Sequence, residues 1–178
     1  MKTKKFIFAI VALFCCLSLT SCGGDDDEPQ PATKTITKAY LCVTAKPTAE
    51  QLKVSNLTVN YNDGQGSDIT EVVDETNWQR KVTATKFPLN ATFTYNSSKK
   101  ADAVIDTNAS YKMVKKLYIM IIVEYSDGSS ATLHDDSIFG IESSVTVGGG
   151  NVEKWLNDHT TLSTKKISVE ADGSFSVQ

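Results

Sequence analysis

The sequence predicts an all-β protein built as an antiparallel β-sandwich. Short segments of alternating apolar and polar residues recur through most of the chain, and turn-forming residues separate them about every 8 to 12 residues. One run, 117–125, is apolar on both of its alternating faces. A single segment, 152–159, has the apolar spacing of a short helix. Together these features indicate two packed sheets with one short helix and a hairpin near the C-terminus.

The first half of the folded region is predicted to form five strands. The clearest alternation places Leu57, Val59 and Tyr61 on one side of a strand, with polar residues between them. Residues 62–66 follow as a turn, because asparagine, aspartate and glycine tolerate positive φ. The predicted strands span 38–45, 57–61, 67–73, 78–85 and 91–95.

The second half is predicted to contain the central strand. Residues 117–125 need cover on both faces, which places them inside a sheet rather than at its edge. Asp127-Gly128 closes this strand into a hairpin with 130–134. Within the polar stretch 96–110, residues 103–105 are interpreted as a short edge strand, and 138–147 as a further strand bent at Gly140.

The C-terminal region combines a helix and a hairpin. Gly148-Gly149-Gly150 is interpreted as a flexible hinge rather than a phosphate-binding loop, because no lysine and no βαβ context accompany it. Asn151 is the predicted N-cap of the helix 152–159. Asp172-Gly173 then turns the chain between strands that include 167–169 and 175–177.

The N-terminus has the order of an export signal. Three lysines precede the 12-residue apolar run 6–17, which is too short to cross a bilayer. Leu19, Thr20 and Ser21 then precede Cys22, and this tetrapeptide resembles the lipobox of bacterial lipoproteins. The resemblance implies cleavage before Cys22 and acylation of its sulfur and new amine, so that several acyl chains hold the protein on a membrane. The alternatives are an ordinary cleaved signal followed by a chance cysteine, and an uncleaved anchor.

An acidic segment follows the cysteine. Gly23 and Gly24 precede Asp25, Asp26, Asp27 and Glu28, and such a composition predicts a solvated, extended tether. The segment also resembles the export signal of Bacteroidetes lipoproteins that reach the outer face of the outer membrane. The expected organisation is therefore a signal peptide over 1–21, a tether over 22–35 and a β-sandwich over 36–178.

Charge and cysteine content restrict the partners. Removal of 1–21 takes away three lysines, which leaves 15 basic and 21 acidic residues and a net charge of −6. This acidic balance without a basic stripe argues against nucleic acid as a partner. Beyond Cys22 only Cys42 remains, so no disulfide framework is expected, and Cys42 is predicted to be a small buried apolar residue.

The strand pattern resembles small immunoglobulin-like β-sandwich lipoproteins of Bacteroidetes. The similarity depends on the strand and turn at Tyr61 to Gly64, on Trp78 and on the apolar central strand, and it covers most of 36–147. It implies an immunoglobulin-like antiparallel sandwich at the cell surface. The C-terminal helix and hairpin fit the pattern less well.

Candidate catalytic and metal-binding residues are few. His134, Asp135 and Asp136 are adjacent, but no second histidine or cysteine lies at ligand spacing, which favours a polar loop. No catalytic motif occurs, so neither an enzyme nor a cofactor or metal site is expected. Ser137 lies in an Asp-Ser-Ile sequence similar to an O-glycosylation motif of Bacteroidetes. Four Asn-x-Ser/Thr sequences, at Asn56, Asn90, Asn96 and Asn108, are interpreted as chance.

The expected function is non-catalytic binding at the outer-membrane surface, to which the lipid at Cys22 would attach the chain. A glycan is one expected ligand, and its candidate stacking aromatics are Trp78, Tyr111, Tyr125 and Trp155, although core packing is the alternative for the tryptophans and is favoured by their apolar neighbours. A surface protein is the other expected partner. The alternative function is a fimbrial or cell-surface assembly subunit joined by strand addition.

Overall fold

The computed structural model describes residues 34–62, 64, 66, 68–136 and 143–178. These residues form eleven strands and two α-helices. The strands are β1 (Ile36–Ala45), β2 (Ser55–Asn62), β3 (Asp68–Val72), β4 (Trp78–Ala84), β5 (Leu89–Lys99), β6 (Ser110–Val114), β7 (Leu117–Tyr125), β8 (Ser130–Asp135), β9 (Ser144–Gly148), β10 (Thr161–Val169) and β11 (Phe175–Val177). The helices are α1 (Ala49–Val54) and α2 (Val152–Asp158).

Two antiparallel sheets pack face to face, which confirms the predicted β-sandwich. One sheet has four strands in the order β4-β1-β7-β8, and the other has five in the order β11-β10-β5-β2-β3. The alternating apolar residues of both sheets point inward and form one core, as the period of two requires. Its largest fully buried side chains include Tyr95, Phe93, Leu41, Leu57, Leu89 and Leu117.

β7 lies between β1 and β8, so the prediction of a central strand is confirmed. Its two faces are covered differently. The inward residues from Leu117 to Val123 are fully buried, whereas Met120 and Ile122 on the outward face are half-buried. The Lys116 ammonium lies 4.4 Å from the Tyr118 ring centroid. Lysine side chains therefore cover part of the outer face, since their stems pack on apolar surface while the charges stay in water.

A second, smaller core lies around the two-stranded sheet β6–β9, and the sequence analysis predicted neither α1 nor β6. Gln51 in α1 is fully buried and joins the two elements. Its side-chain amide donates to Val114 O at 3.1 Å and its carbonyl accepts from Val114 N–H at 2.9 Å. The cluster contains Val54, Tyr111, Met113, Val147, Val152 and Leu156.

The predicted edge strand at 103–105 is wrong. These residues form a loop in which Ala103 and Ile105 pack against the second core, while Val104 is 92% exposed. Immediately after this loop, the backbone N–H of Asp106 donates to the Tyr111 hydroxyl at 2.9 Å. The loop therefore docks through side chains rather than through a strand ladder.

The glycine run is a packed junction, not the predicted hinge. β9 ends at Gly148, and a 3₁₀ turn over 149–151 leads directly into α2. A Cβ at Gly149 would lie within van der Waals radii of the backbone of Asp106. Asn151 is the N-cap as predicted, but its side chain makes no capping bond. Residues 137–142, which include Ser137, Gly140 and part of the predicted strand 138–147, lie outside the described residues.

Two hairpins use the same turn sequence, Asp-Gly-Ser, as predicted for Asp127-Gly128 and Asp172-Gly173. In the first, the Asp127 carboxylate accepts from the Ser129 N–H at 2.9 Å, and Gly128 has φ +81°. The Lys34 ammonium, 2.5 Å away, holds the pKa of Asp127 well below its usual range, with the Ser129 donors adding to the effect. The same serine contact recurs between Asp172 and Ser174.

Candidate binding face

The outward side of the five-stranded sheet is an almost continuous surface of amide and hydroxyl side chains. β2 and β5 each carry an inward apolar series and an outward polar series, so burial of the first exposes the second. We call this surface the polar face. It consists of Thr58, Asn60, Asn62, Asn90, Thr92, Thr94, Asn96, Thr164, Ser168 and Ser176.

Strand register aligns these side chains in rows across the sheet. Asn60 pairs with Thr94, which pairs in turn with Thr164. In the same way Asn90 pairs with Ser168, and Ser168 with Ser176 on β11. Neighbouring side chains in a row are about 5 Å apart, and successive rows are about 7 Å apart along the strands. The polar face thus presents donors and acceptors on a regular grid.

Two adjoining depressions lie on the polar face and share Asn62 and Thr92. The first has a volume of about 420 Å³ and the second about 360 Å³. The first extends over β10 and β11 and is lined by Asn62, Asn90, Ala91, Thr92, Lys166, Ile167, Ser168, Ser176 and Gln178. The second extends over β3 and is lined by Asn60, Tyr61, Asn62, Asp68, Ile69, Thr70, Thr92 and Thr94.

Part of the polar face is oriented by internal hydrogen bonds and part of it is unengaged. The Asn62 amide nitrogen donates to Asp68 at 2.9 Å, and its oxygen accepts from the Gly64 N–H at 2.9 Å. The side chains of Asn60 and Asn90 are exposed and form no hydrogen bond with another described residue. One shared asparagine is therefore fixed, while its neighbours retain their capacity to bind a ligand.

The sequence analysis missed this surface, although a signal was present. Residues 56–62 read Asn-Leu-Thr-Val-Asn-Tyr-Asn and residues 90–96 read Asn-Ala-Thr-Phe-Thr-Tyr-Asn. Both contain the Asn-x-Thr sequences interpreted as chance. In the structure they are two adjacent antiparallel strands whose asparagine and threonine side chains share one face. The repeated pattern follows from strand alternation on a polar outer surface.

The four candidate aromatics do not form a platform. Trp78 is 6% exposed and lies in the main core, while Tyr111 is 8% exposed and lies in the second core, so neither presents a ring to a ligand. Tyr125 is half-buried against the main core. Trp155 packs on the second core and stacks on His159 with centroids 4.5 Å apart. Core packing, the alternative considered for the tryptophans, accounts for Trp78.

Asp136 lies directly after β8 and links β7 of one sheet to β10 of the other. Asp136 is 9% exposed; its carboxylate accepts from the Ile119 N–H at 2.7 Å and lies 3.6 Å from the Lys165 ammonium on β10. His134 contacts the Phe175 ring, and its Nε2 is buried without a hydrogen-bond partner in the described chain. No group of three or more potential metal ligands occurs among the described residues.

Cys42 is half-buried rather than buried as predicted. It lies on the outward side of β1, where Lys81 and Met120 line the same groove. Burial raises the pKa of the thiol, and the nearby Lys81 charge opposes this effect in part. A raised thiol pKa leaves little thiolate at neutral pH, which does not suit a nucleophile.

The structure also bears on the strand-addition alternative. β7 has a partner on each side, so no unpaired groove lies beside the central strand. The last strand, β11, is paired with β10 through Val177 and Phe175. The alternative of an assembly subunit joined by strand addition stays a prediction.

The residues Leu19 to Cys22 and Asp25 to Glu28 lie outside the described residues. No helix in the part that the structure describes is long and apolar enough to span a bilayer. No family model matches the chain, and neither a curated protein nor a solved structure shows significant similarity to it.

Proposed function

We propose that this chain is an outer-membrane lipoprotein, attached through Cys22 and displayed at the cell surface, that binds glycans without catalysis. The proposed binding site is the polar face. The N-terminal sequence supports the attachment, since an export signal, the lipobox-like tetrapeptide and the acidic tether stand in the order that surface lipoproteins require.

The grid of amide and hydroxyl groups is the observation that supports glycan binding. Sugar hydroxyls both donate and accept hydrogen bonds, and the side chains of asparagine, threonine and serine offer both functions. The rows of the polar face repeat at regular spacing, which suits a polymer of similar units. The ligand is therefore expected to lie across β2, β5 and β10.

Other ligand classes fit this face less well. A nucleic acid would require several cations to neutralise phosphates, and among the described residues Lys166 is the only lysine or arginine that lines the two depressions. A hydrophobic peptide would require apolar anchor pockets, whereas the outward side chains of β2, β5 and β10 are polar and Val72 on the edge strand β3 is a single exposed apolar side chain. Contacts on this shallow polar surface stay partly exposed to water, so each unit of a glycan is expected to bind weakly. A glycan that repeats this unit is expected to bind more tightly, because several units can bind at once.

The test replaces one row of the polar face. The triple variant Asn60→Ala, Thr94→Ala, Thr164→Ala removes three aligned polar side chains, and we expect at least about tenfold weaker binding on a glycan array, because each lost hydrogen bond contributes roughly 1 kcal/mol. The full chain is used in detergent micelles. The matched control, Thr44→Ala, Gln79→Ala, Thr132→Ala, removes outward polar side chains from the other sheet and should bind as the unmodified chain does.

Two results would contradict the proposal. One is binding that the triple variant on the polar face leaves unchanged, and the other is an array on which the unmodified chain binds no glycan. Circular dichroism spectra and thermal melting of both variants establish that any loss of binding is not a loss of the fold.

A further inference from the structure

The first depression carries one charged side chain on an otherwise neutral surface. Lys166 lies in the middle of β10, with Thr92 opposite it on β5. The other side chains that line this depression are uncharged amides, hydroxyls and aliphatic groups. A single cation thus projects among hydrogen-bonding groups, in a chain whose net charge is −3.

The charge on Lys166 is not neutralised by a side chain of the described protein. Its side chain is exposed and makes no ion pair with a described residue. The two main-chain hydrogen bonds between Lys166 and Gln178, each 2.9 Å, lie in the plane of the sheet, whereas the lysine side chain stands out of that plane. The adjacent Lys165 points to the opposite face, where it approaches Asp136.

The second depression contains an acidic side chain instead of a basic one. Its charged side chain is Asp68, and the Asn62 amide donates to this carboxylate. The acidic group is thereby partly satisfied within the protein, while the cation in the first depression is not. Lys166 is therefore the place on this face where an anion gains most from binding.

We infer that the ligand is an acidic saccharide, in which a carboxylate or sulfate group binds the Lys166 ammonium while neighbouring sugar hydroxyls bind the polar face. This inference depends on the proposed glycan function and specifies its ligand class. A lysine ammonium suits an isolated anionic group because it is a compact point charge with three donors. One lysine among uncharged side chains provides one point of charge attraction, so the preference for an acidic saccharide is expected to be modest.

The experiment compares saccharides that differ only in charge. Oligogalacturonate is titrated into the full chain beside its methyl ester, and dextran sulfate beside dextran, each at low and high salt. We expect at least one acidic saccharide to bind about fivefold more tightly than its neutral counterpart at low salt. The ratio of the two affinities should decrease at high salt. Lys166→Gln should reduce that ratio to about one. Lys53→Gln, the same charge change on the exposed side of α1, should leave the ratio as it is.

The outcomes separate this inference from the proposed function. Equal affinity for acidic and neutral partners, or an acidic preference that persists in Lys166→Gln, would overturn the inference. If neutral saccharides still bind and the triple variant on the polar face weakens them, the proposed function stands without the acidic ligand. If the unmodified chain binds none of the four probes and no glycan on the array, both are overturned.

Discussion

At the scale of single residues, two buried tyrosines, Tyr61 and Tyr95, differ in whether their hydroxyl groups form a hydrogen bond. Tyr61 donates its hydroxyl proton to Glu71 at 2.7 Å, and Arg80 binds the same carboxylate. Tyr95 is fully buried, but its hydroxyl has no hydrogen-bond partner among the described residues. Burial alone raises the pKa of Tyr95 above its ordinary value. The Tyr95 ring therefore stabilises the core, while its hydroxyl contributes a desolvation cost.

Removal of the Tyr95 hydroxyl and removal of the Tyr61 hydroxyl should change the free energy of unfolding in opposite directions. Tyr95→Phe should leave the free energy of unfolding unchanged or raise it by up to about 1 kcal/mol, because a buried unpaired group disappears. Tyr61→Phe should lower it by about 1 kcal/mol, because a hydrogen bond to a carboxylate is lost. Denaturant titration of both variants measures the two changes. A larger loss in Tyr95→Phe than in Tyr61→Phe would show that the Tyr95 hydroxyl is satisfied.

At the same scale, the sequence identified a core aromatic only where a strand was predicted. Trp78 shares one side of its predicted strand with Val82 and Ala84, and all three are buried on β4, whereas Tyr111 lies on β6, which was not predicted. The polar residues were more informative, since the Asn and Thr alternation of 56–62 and 90–96 already placed them together on one side of each strand.

At the scale of secondary-structure elements, strands with clean alternation were predictable. β2, β5 and β7 lie where their period of two placed them, and both Asp-Gly hairpins formed. α1 was missed because six residues carry too little periodicity, although Thr48 with Gln51 three residues later is a capping signal; the Gln51 N–H does donate to Thr48 Oγ1 at 3.1 Å. β6 was missed because its five residues, three of them apolar, are too few to show a clear alternation.

The junction between β9 and α2 shows why a glycine run need not be flexible. Of the three glycines, Gly149 is the one at which a Cβ would meet other atoms: its N–H donates to Ala109 O at 2.8 Å, and the Asp106 backbone leaves no room for a Cβ. Gly150, the next residue, has open space around the same position. Such contacts between distant segments have no signature in a local sequence pattern.

This difference gives a matched pair of variants. Gly149→Ala should lower the free energy of unfolding by about 2 to 3 kcal/mol, because backbone atoms of the loop before β6 must move to admit the methyl group. Gly150→Ala should leave it unchanged or raise it by up to about 1 kcal/mol, since alanine reduces the entropy of the unfolded chain. Thermal and denaturant unfolding measure both. Equal effects of the two substitutions would show that the junction is a flexible hinge after all.

At the scale of the whole molecule, the proposed function joins a membrane attachment to a binding face. The proposed attachment depends on Cys22, and the proposed binding face depends on the alternation that also builds the core. The sandwich itself was predictable because every strand needs a buried apolar side. The position of the proposed binding site was not predictable, because the rows of the polar face arise only when β2, β5 and β10 become neighbours.

The attachment is tested by one substitution. Cys22→Ala removes the sulfur that would carry the lipid, so the chain should move from the membrane fraction to the soluble fraction, because no acyl chain remains to hold it. Fractionation followed by mass spectrometry of the mature N-terminus measures this change. A Cys22→Ala chain that loses its signal peptide and still sediments with membranes would contradict the lipid attachment.

The binding face is tested most directly by mapping a bound glycan on the folded chain. Backbone amide NMR spectra of the isotopically labelled Cys22→Ala chain are recorded while the oligosaccharide that binds best on the array is added. We predict chemical-shift changes concentrated on β2, β5 and β10, strongest at Asn60, Thr92 and Thr94. Changes concentrated on the outward side of β1 and β7 would contradict the assignment of glycan binding to the polar face.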